Sequence, residues 1–285
     1  MSIIYINPYA FPAAGASFLD TYPGALAAYS LRSLSSSVTN VVRVRRSNDN
    51  AESDFTAAAV SDGTLASWVG AGNNGFVRTW YDQSGNGQNA GQATSANQPQ
   101  IVSSGSLITA GTNAKPSFLY SGAQRMSVSL GSSPNGRTAM SLISVAFPTQ
   151  EILSNGTRAC VHIPETGSWG SIFHNVATNA FRYRFGTGQD NNNQTLTLSL
   201  TAAISQTFKE STAEYVRLNG TSYTRGTAAL STTANNATTL NLGQGENTTF
   251  QFNGKMSEVI MYLSSQRTSA SAIEANINAY YGIFV

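Results

Sequence analysis

The 285-residue chain has one cysteine, Cys160, and two histidines, His162 and His174. A single thiol excludes an internal disulfide framework and any zinc site built on cysteine pairs. Charge is scarce as well: 11% of residues are charged, against roughly 25% in an ordinary soluble domain. The balance of 16 Lys and Arg against 14 Asp and Glu gives a net charge of +2, too small an electrostatic footprint for nucleic acid. No apolar run is long enough to span a membrane as a helix. The opening MSIIYINPYAFPAAG has no basic start and carries prolines where a secretory leader needs an apolar stretch.

What is present is 41% hydrophobic residues and many aromatics. That composition supports a sizeable core and argues against disorder. The surface must then be covered by Ser, Thr, Asn, Gln and Gly. Such a polar, weakly charged surface suits exposure outside a cell, yet no leader is visible. A virion protein, assembled in the host cytoplasm and exposed later, reconciles the two.

Residues 1–18 read as an extended arm, because Pro8 and Pro12 prevent a helix across it. Its Ile3, Ile4, Tyr5, Ile6, Tyr9 and Phe11 would form an exposed apolar patch on a monomer. The arm is therefore expected to dock on its own sandwich or on a neighbouring subunit, and a homo-oligomer, a trimer for example, follows from the second option. Residues 19–285 form the second unit. In TYPGALAAYSLRSL, Leu26, Tyr29, Leu31 and Leu34 sit near helical spacing, which predicts a short helix over 24–35. A second helix is expected at 62–69 and a third at 270–281, where Ile273, Ile277 and Tyr280 share a face and Gly282 ends it.

Between these lie short alternating segments such as GFVRTWYDQ, RMSVSLG, AFRYRFG and EYVRLNG, each bounded by Gly, Asn or Ser. Many short strands with turn signals indicate an all-β antiparallel sandwich of jelly-roll type. The segment WYDQSGNG runs from a strand into a turn. Asp82 is read as a structural acceptor, paired to Arg45 or Arg46 or bonding its own turn, with Gly85 and Gly87 supplying positive φ.

Two stretches carry a likeness to the concanavalin A-like jelly roll of the laminin-G and pentraxin type. They are EYVRLNGTSYTRG, a hairpin, and FNGKMSEVIMYLSSQRTSASAIEANINAYYGI, a last strand followed by a helix. In the N-terminal half AAYSLRSL, VRVRRSNDN and WYDQSGNG, in that order, resemble the catalytic domain of glycoside hydrolase family 54 α-L-arabinofuranosidases. The likeness covers residues 20–105 and 240–282. It implies a retaining mechanism with two carboxyl groups about 5–5.5 Å apart. The family's general acid lies in a Gly-Gly-Asp-Asn segment before the last strand. Here GQGEN, Gly243 to Asn247, stands at that place and puts Glu246 where the acid would be. The family's nucleophile, a Glu followed by Asn-Gly, has no match.

Other chemistry has less support. No Gly-x-Ser-x-Gly precedes a helix to make a triad with either histidine. Cys160 beside His162 reads as a buried thiol next to a partly exposed imidazole. Ser47–Asp54 and Gly188–Gln194 offer oxygens to calcium, but neither has the patterned loop with a distal Glu, and turns account for both. Glu210 and Glu214 read as a solvated strand edge.

The leading expectation is a non-enzymatic bacteriophage virion surface protein, a head decoration, fibre or tail-tip component with other virion proteins as partners. The alternatives are a carbohydrate-binding module for a host glycan or a divergent arabinofuranosidase-like hydrolase. In the carbohydrate reading Trp169, His174, Tyr183 and Arg184 supply a stacking face and donors. No cofactor, nucleic acid or membrane insertion is expected.

Overall fold

Alternating segments bounded by turn residues become strands. The structure, a computed structural model, describes residues 17–132, 137–149, 160–163, 172–177, 180–184, 194–197, 202–210, 213–224, 238–245 and 251–285. In chain order the first strands are β1 (Ala25–Ser30), β2 (Asn40–Arg46), β3 (Glu52–Thr56), β4 (Gly75–Trp80), β5 (Ala90–Gly91), β6 (Gln100–Ser103) and β7 (Ser106–Leu107). Then come β8 (Thr109–Ala110), β9 (Lys115–Pro116), β10 (Phe118–Ser121), β11 (Met126–Ser129), β12 (Met140–Pro148), β13 (Val161–Ile163) and β14 (Ile172–Ala177). The last are β15 (Ala180–Arg184), β16 (Gln194–Thr197), β17 (Ala203–Glu210), β18 (Ala213–Leu218), β19 (Thr221–Thr224), β20 (Thr239–Leu242) and β21 (Asn253–Tyr262). The α-helices are α1 (Phe18–Thr21), α2 (Ala57–Ser61), α3 (Thr64–Val69) and α4 (Ala270–Tyr281).

Every named pairing is antiparallel, and the pairings sort the strands into two layers. Layer one runs β19–β18–β17–β12–β21, with β1 and β10 sharing the far edge of β21. Layer two runs β16–β15–β14–β13–β20–β11–β5–β4–β2–β3. β6 pairs with both β4 and β10 and so ties the layers together. This is the all-β antiparallel sandwich of jelly-roll type that the strand pattern predicts.

The main core fills the space between the layers. Trp80 lies at its centre, with its ring 4.7 Å edge-on from Phe118 and 5.5 Å from Tyr29. A second core covers the outer side of layer one, where Ile143, Ile204 and Ile260 meet Ile273, Ile277 and Tyr281 of α4. α4 spans the expected residues and ends at Gly282 in the left-handed region. Its buried face is completed by Tyr281, while Tyr280 lies half-buried over Arg32 and Lys115. A fully enclosed carboxylate, Glu258, fastens this side. It accepts Arg32 Nε at 2.8 Å and Nη2 at 3.0 Å, Ser30 Oγ at 2.8 Å and the Tyr281 hydroxyl at 3.3 Å.

The helix expected over 24–35 is a strand. All six residues of β1 are buried, because layer one has core on both of its faces. A strand covered on both sides reads as a continuous apolar run, which periodicity cannot tell from a helix. The helix expected at 62–69 forms as α3, burying Leu65 and Val69.

β1 uses one edge to pair with β21. Its other edge is met by residues 82–88, the exit of β4. The Asp82 carboxylate accepts Ala28 N at 2.9 Å, Ser84 N at 2.9 Å, Ser84 Oγ at 2.7 Å and Gln88 N at 3.1 Å. Gln83 N donates to Ala28 O at 2.8 Å, and the Gln83 amide donates to Ser30 O and Arg32 O while accepting Leu34 N. Asn86 Nδ2 donates to the carbonyls of Ala25 and Leu26. Gly85 and Gly87 have φ of 88° and 70°, as the turn requires.

The expected Asp82–arginine pair is thereby corrected. Arg45 reaches Gln98 and Asn50, and Arg46 holds Asp49 and the Trp68 carbonyl. Asp82 is 5% exposed and its partners are backbone amides and a serine. Of the arm expected over 1–18, residues 1–16 lie outside the described residues, while Ser17 caps α1 and Phe18 opens it and is buried in the second core. Asp82→Ala is expected to leave these amides without their acceptor and to cost about 3 kcal/mol in urea unfolding. Asp82→Asn keeps one oxygen and should cost less. Equal stability of Asp82→Ala and the parent would contradict this account of the loop.

Candidate functional site

Residues directly opposite on neighbouring strands share a sheet face, so register divides the side chains of layer two into rows. One row is Met126, Leu242, Val161, His174 and Tyr183. Each is at most 2% exposed, so this row faces the core. The neighbouring row is Asp54, Arg43, Thr79, Gly91, Ser127, Asn241, His162, Phe173 and Arg184. By the period of two along each strand it belongs to the outer face. The seven of them whose side chains are described, Asp54, Arg43, Thr79, Gly91, Ser127, Asn241 and His162, are all polar or glycine.

At one end of this row the polar groups are satisfied by one another. Arg43 holds Asp54 through two bonds of 2.7 and 2.8 Å, and the Tyr81 hydroxyl donates to the same carboxylate at 2.7 Å. The Arg43 guanidinium keeps the Asp54 carboxyl below the usual carboxylate range despite partial burial. Asp49 is likewise held by Arg46. The acids of Ser47–Asp54 that could have offered oxygens to calcium are thus engaged by arginines. Among the described residues no group of three or more His, Cys, Asp or Glu could hold a metal ion.

The centre of the row is different. Asn241 is half-buried, and among the described residues its side-chain amide makes no hydrogen bond. His162 stands directly opposite, is 4% exposed, and among the described residues its buried Nδ1 has no hydrogen-bond partner. Burial pushes the His162 imidazole down to about 4, so it is neutral at pH 7, with one ring nitrogen an acceptor and the other an N–H donor. Cys160 does not continue the alternation of His162. It precedes β13, lies in the core, and its thiol donates to the His174 carbonyl at 3.1 Å.

β13 and β20 are paired and deliver the two segments that carry sequence candidates. β20 leads into Gly243, whose φ is +84° and whose N–H donates to Cys160 O at 2.8 Å. A side chain there would collide with the Tyr120 ring, so only glycine fits this exit. Glu246 follows three residues later and lies outside the described residues. Trp169, in the segment that follows β13, lies outside them too.

His174 and Tyr183 were expected on a ligand face. Both belong to the core row, and that expectation is corrected. His174 Nδ1 is 2.7 Å from Ser144 Oγ and Nε2 is 2.7 Å from Thr207 Oγ1, both on layer one. Ser205 Oγ closes the cluster at 2.7 Å from Ser144. Burial pushes the His174 imidazole down to about 3. Tyr183 is stacked against Phe181 at 17° between planes. Arg184, one residue on, takes a register position in the outer row.

Glu214 does not lie on a solvated edge either. It is 3% exposed and opposite Lys209, itself 4% exposed, in the β17–β18 pair. Glu210 does lie nearer the surface, where it pairs with Arg267 at 2.9 Å. A separate concavity of about 240 Å³ on the other side of layer one is lined by Phe208, Tyr215, Arg217, Tyr223, Arg267 and Ser271. Its two arginines are already neutralised by Glu274 and Glu210.

No protein-family model matches the sequence, and no curated protein matches it. Among solved structures the chain is similar to a GH54 α-L-arabinofuranosidase soaked with a cyclic sulfate inhibitor. The identity is 16% and the TM-score 0.67, over 90% of this chain and 63% of that one. It is also similar to an arabinofuranosidase complexed with arabinofuranosyl-α-1,2-xylobiose, at 18% identity and a TM-score of 0.65 over the same shares. The chain therefore spans 63% of the length of these proteins. The likeness establishes the shared sandwich. It also corrects the expectation of a non-enzymatic virion surface protein, because the fold matched over nine tenths of the chain is that of glycoside hydrolases.

Two enclosed neutral imidazoles make stability depend on pH. The unfolded chain takes up both protons near pH 6.5, whereas the folded chain resists until about 4 for His162 and about 3 for His174. Their contribution is complete above pH 6.5 and is lost as pH falls toward those values. Lowering pH from 7 to 5 should cost roughly 2 kcal/mol per histidine, read from urea midpoints. Replacing either histidine should remove about half of that slope. A flat profile between pH 7 and 5 would rule out neutral, buried rings.

Proposed function

We propose that this chain is a carbohydrate-active sandwich of arabinofuranosidase type, taking a furanose-bearing glycan across the outer row of layer two. The row through Ser127, Asn241 and His162 carries the proposal. Sugar hydroxyls donate and accept at once, and they are matched by a hydroxyl, an amide and a neutral imidazole, not by net charge. A chain with 11% charged residues and a net charge of +2 fits a neutral polyol better than an ionic ligand. Likeness to an arabinofuranosidase complexed with arabinofuranosyl-xylobiose supplies the choice of sugar.

Hydrolysis is the second reading, and the exit of β20 favours it. Gly243 is held by the Cys160 carbonyl and the Tyr120 ring, and three residues on in the sequence stands Glu246. In that reading Glu246 is the general acid, and a second carboxyl group is required about 5–5.5 Å away.

Calorimetry with arabinofuranosyl-substituted xylobiose, together with turnover of an aryl arabinofuranoside, tests both readings. Saturable binding is expected. Turnover abolished by Glu246→Gln would establish hydrolysis, and binding without turnover would leave recognition alone. A folded chain that neither binds nor cleaves these sugars sinks the proposal.

A further inference from the structure

Two side chains at the centre of the outer row have unmet hydrogen-bonding capacity, and they face each other. Asn241 and His162 are direct cross-strand partners, which sets their Cβ atoms about 5 Å apart. Buried polar groups are nearly always satisfied, and an orphaned one is costly. The His162 Nδ1 is such an orphan. The nearby Cys160 thiol is committed to the His174 carbonyl and cannot serve it. The other histidine of the chain shows the contrast, since His174 meets Ser144 and Thr207 with its two nitrogens.

We infer that His162 and Asn241 form a clamp for a sugar hydroxyl, with His162 Nδ1 accepting its proton and the Asn241 amide donating to its oxygen. The inference rests on the carbohydrate reading above and deepens it. Only a group that donates and accepts at one atom completes both partners, which selects a hydroxyl over an ether, a carboxylate or an ammonium. The pair is therefore a specificity determinant. A sugar lacking that hydroxyl leaves the enclosed His162 nitrogen and the half-buried Asn241 amide unpaired and is rejected more strongly than loss of contact area alone would suggest. The clamp requires the neutral imidazole, and burial keeps His162 neutral down to about pH 4.

The test uses the full chain and arabinofuranosyl-substituted xylobiose. His162→Phe is expected to weaken binding about tenfold, Asn241→Ala to weaken it similarly, and His162→Gln, which restores an acceptor, to recover part of the loss. Affinity should stay constant from pH 8 to 5.5, because the ring does not titrate there. In the parent protein the ring ¹⁵N resonance of the bare His162 nitrogen should shift on saturation with the sugar. This last measurement decides the matter if His162→Phe does not fold, and an unmoved resonance overturns the clamp. A folded His162→Phe with parental affinity overturns the clamp and leaves the carbohydrate reading standing. Absence of any binding by the parent overturns both.

Discussion

The free edge of β1 is the constraint on which this sandwich depends. β1 belongs to layer one and has a partner on only one side, so its other backbone groups would be buried without hydrogen bonds. Residues 82–88 meet them, and these residues are the continuation of β4 in layer two. One loop therefore satisfies an edge and fastens the two layers. Trp80, the last residue of β4, is held at the centre of the core by the same attachment. A carboxylate at position 82 suits this role because it has acceptor sites for several amides at once, and it receives three here.

Layer one is also enclosed from behind. α4 lies on its outer side, and Glu258 with Arg32 supplies the polar fastening within that second core. Both faces of layer one are thereby used in packing. Layer two has one face in the core, and the row that carries the proposed sugar site is on the other. A single step in register separates His174 from His162 in role. One imidazole bridges the layers with both nitrogens bonded, and the other has a buried nitrogen without a partner among the described residues.

Much of the architecture was legible in the sequence. β18 shows why: AEYVRL alternates, and Val216 and Leu218 are buried as the pattern implies, although Glu214 is buried on the same face. The spacing of Ile273 and Ile277 before Gly282 marked α4, and the glycines after Asp82 marked a turn with positive φ. β1 was misread because a strand with core on both faces loses its alternation. The carbohydrate candidates were chosen as a cluster of aromatic and polar residues, without the strand phase that divides them. His174 and Tyr183 fell on the inner row and Arg184 on the outer. Asn241 and His162 were passed over because they lie about 80 residues apart, in LNLG and VHIP, and nothing local links them.

The sequence by itself determined the class of the fold, the helix at its end, the turn after β4 and the weakly charged surface. These follow from local periodicity, from the conformational freedom of glycine and from composition, all of which act over a few residues or over the whole chain. Tertiary structure alone decided which acceptor Asp82 would be, which histidine would be bonded on both sides, and which polar residues would share a face. Those outcomes depend on strand register, and register is fixed by contacts between segments that are distant in the chain. Shifting one strand by a single residue would exchange its inner and outer side chains, so the candidate site exists only once the sheets have closed.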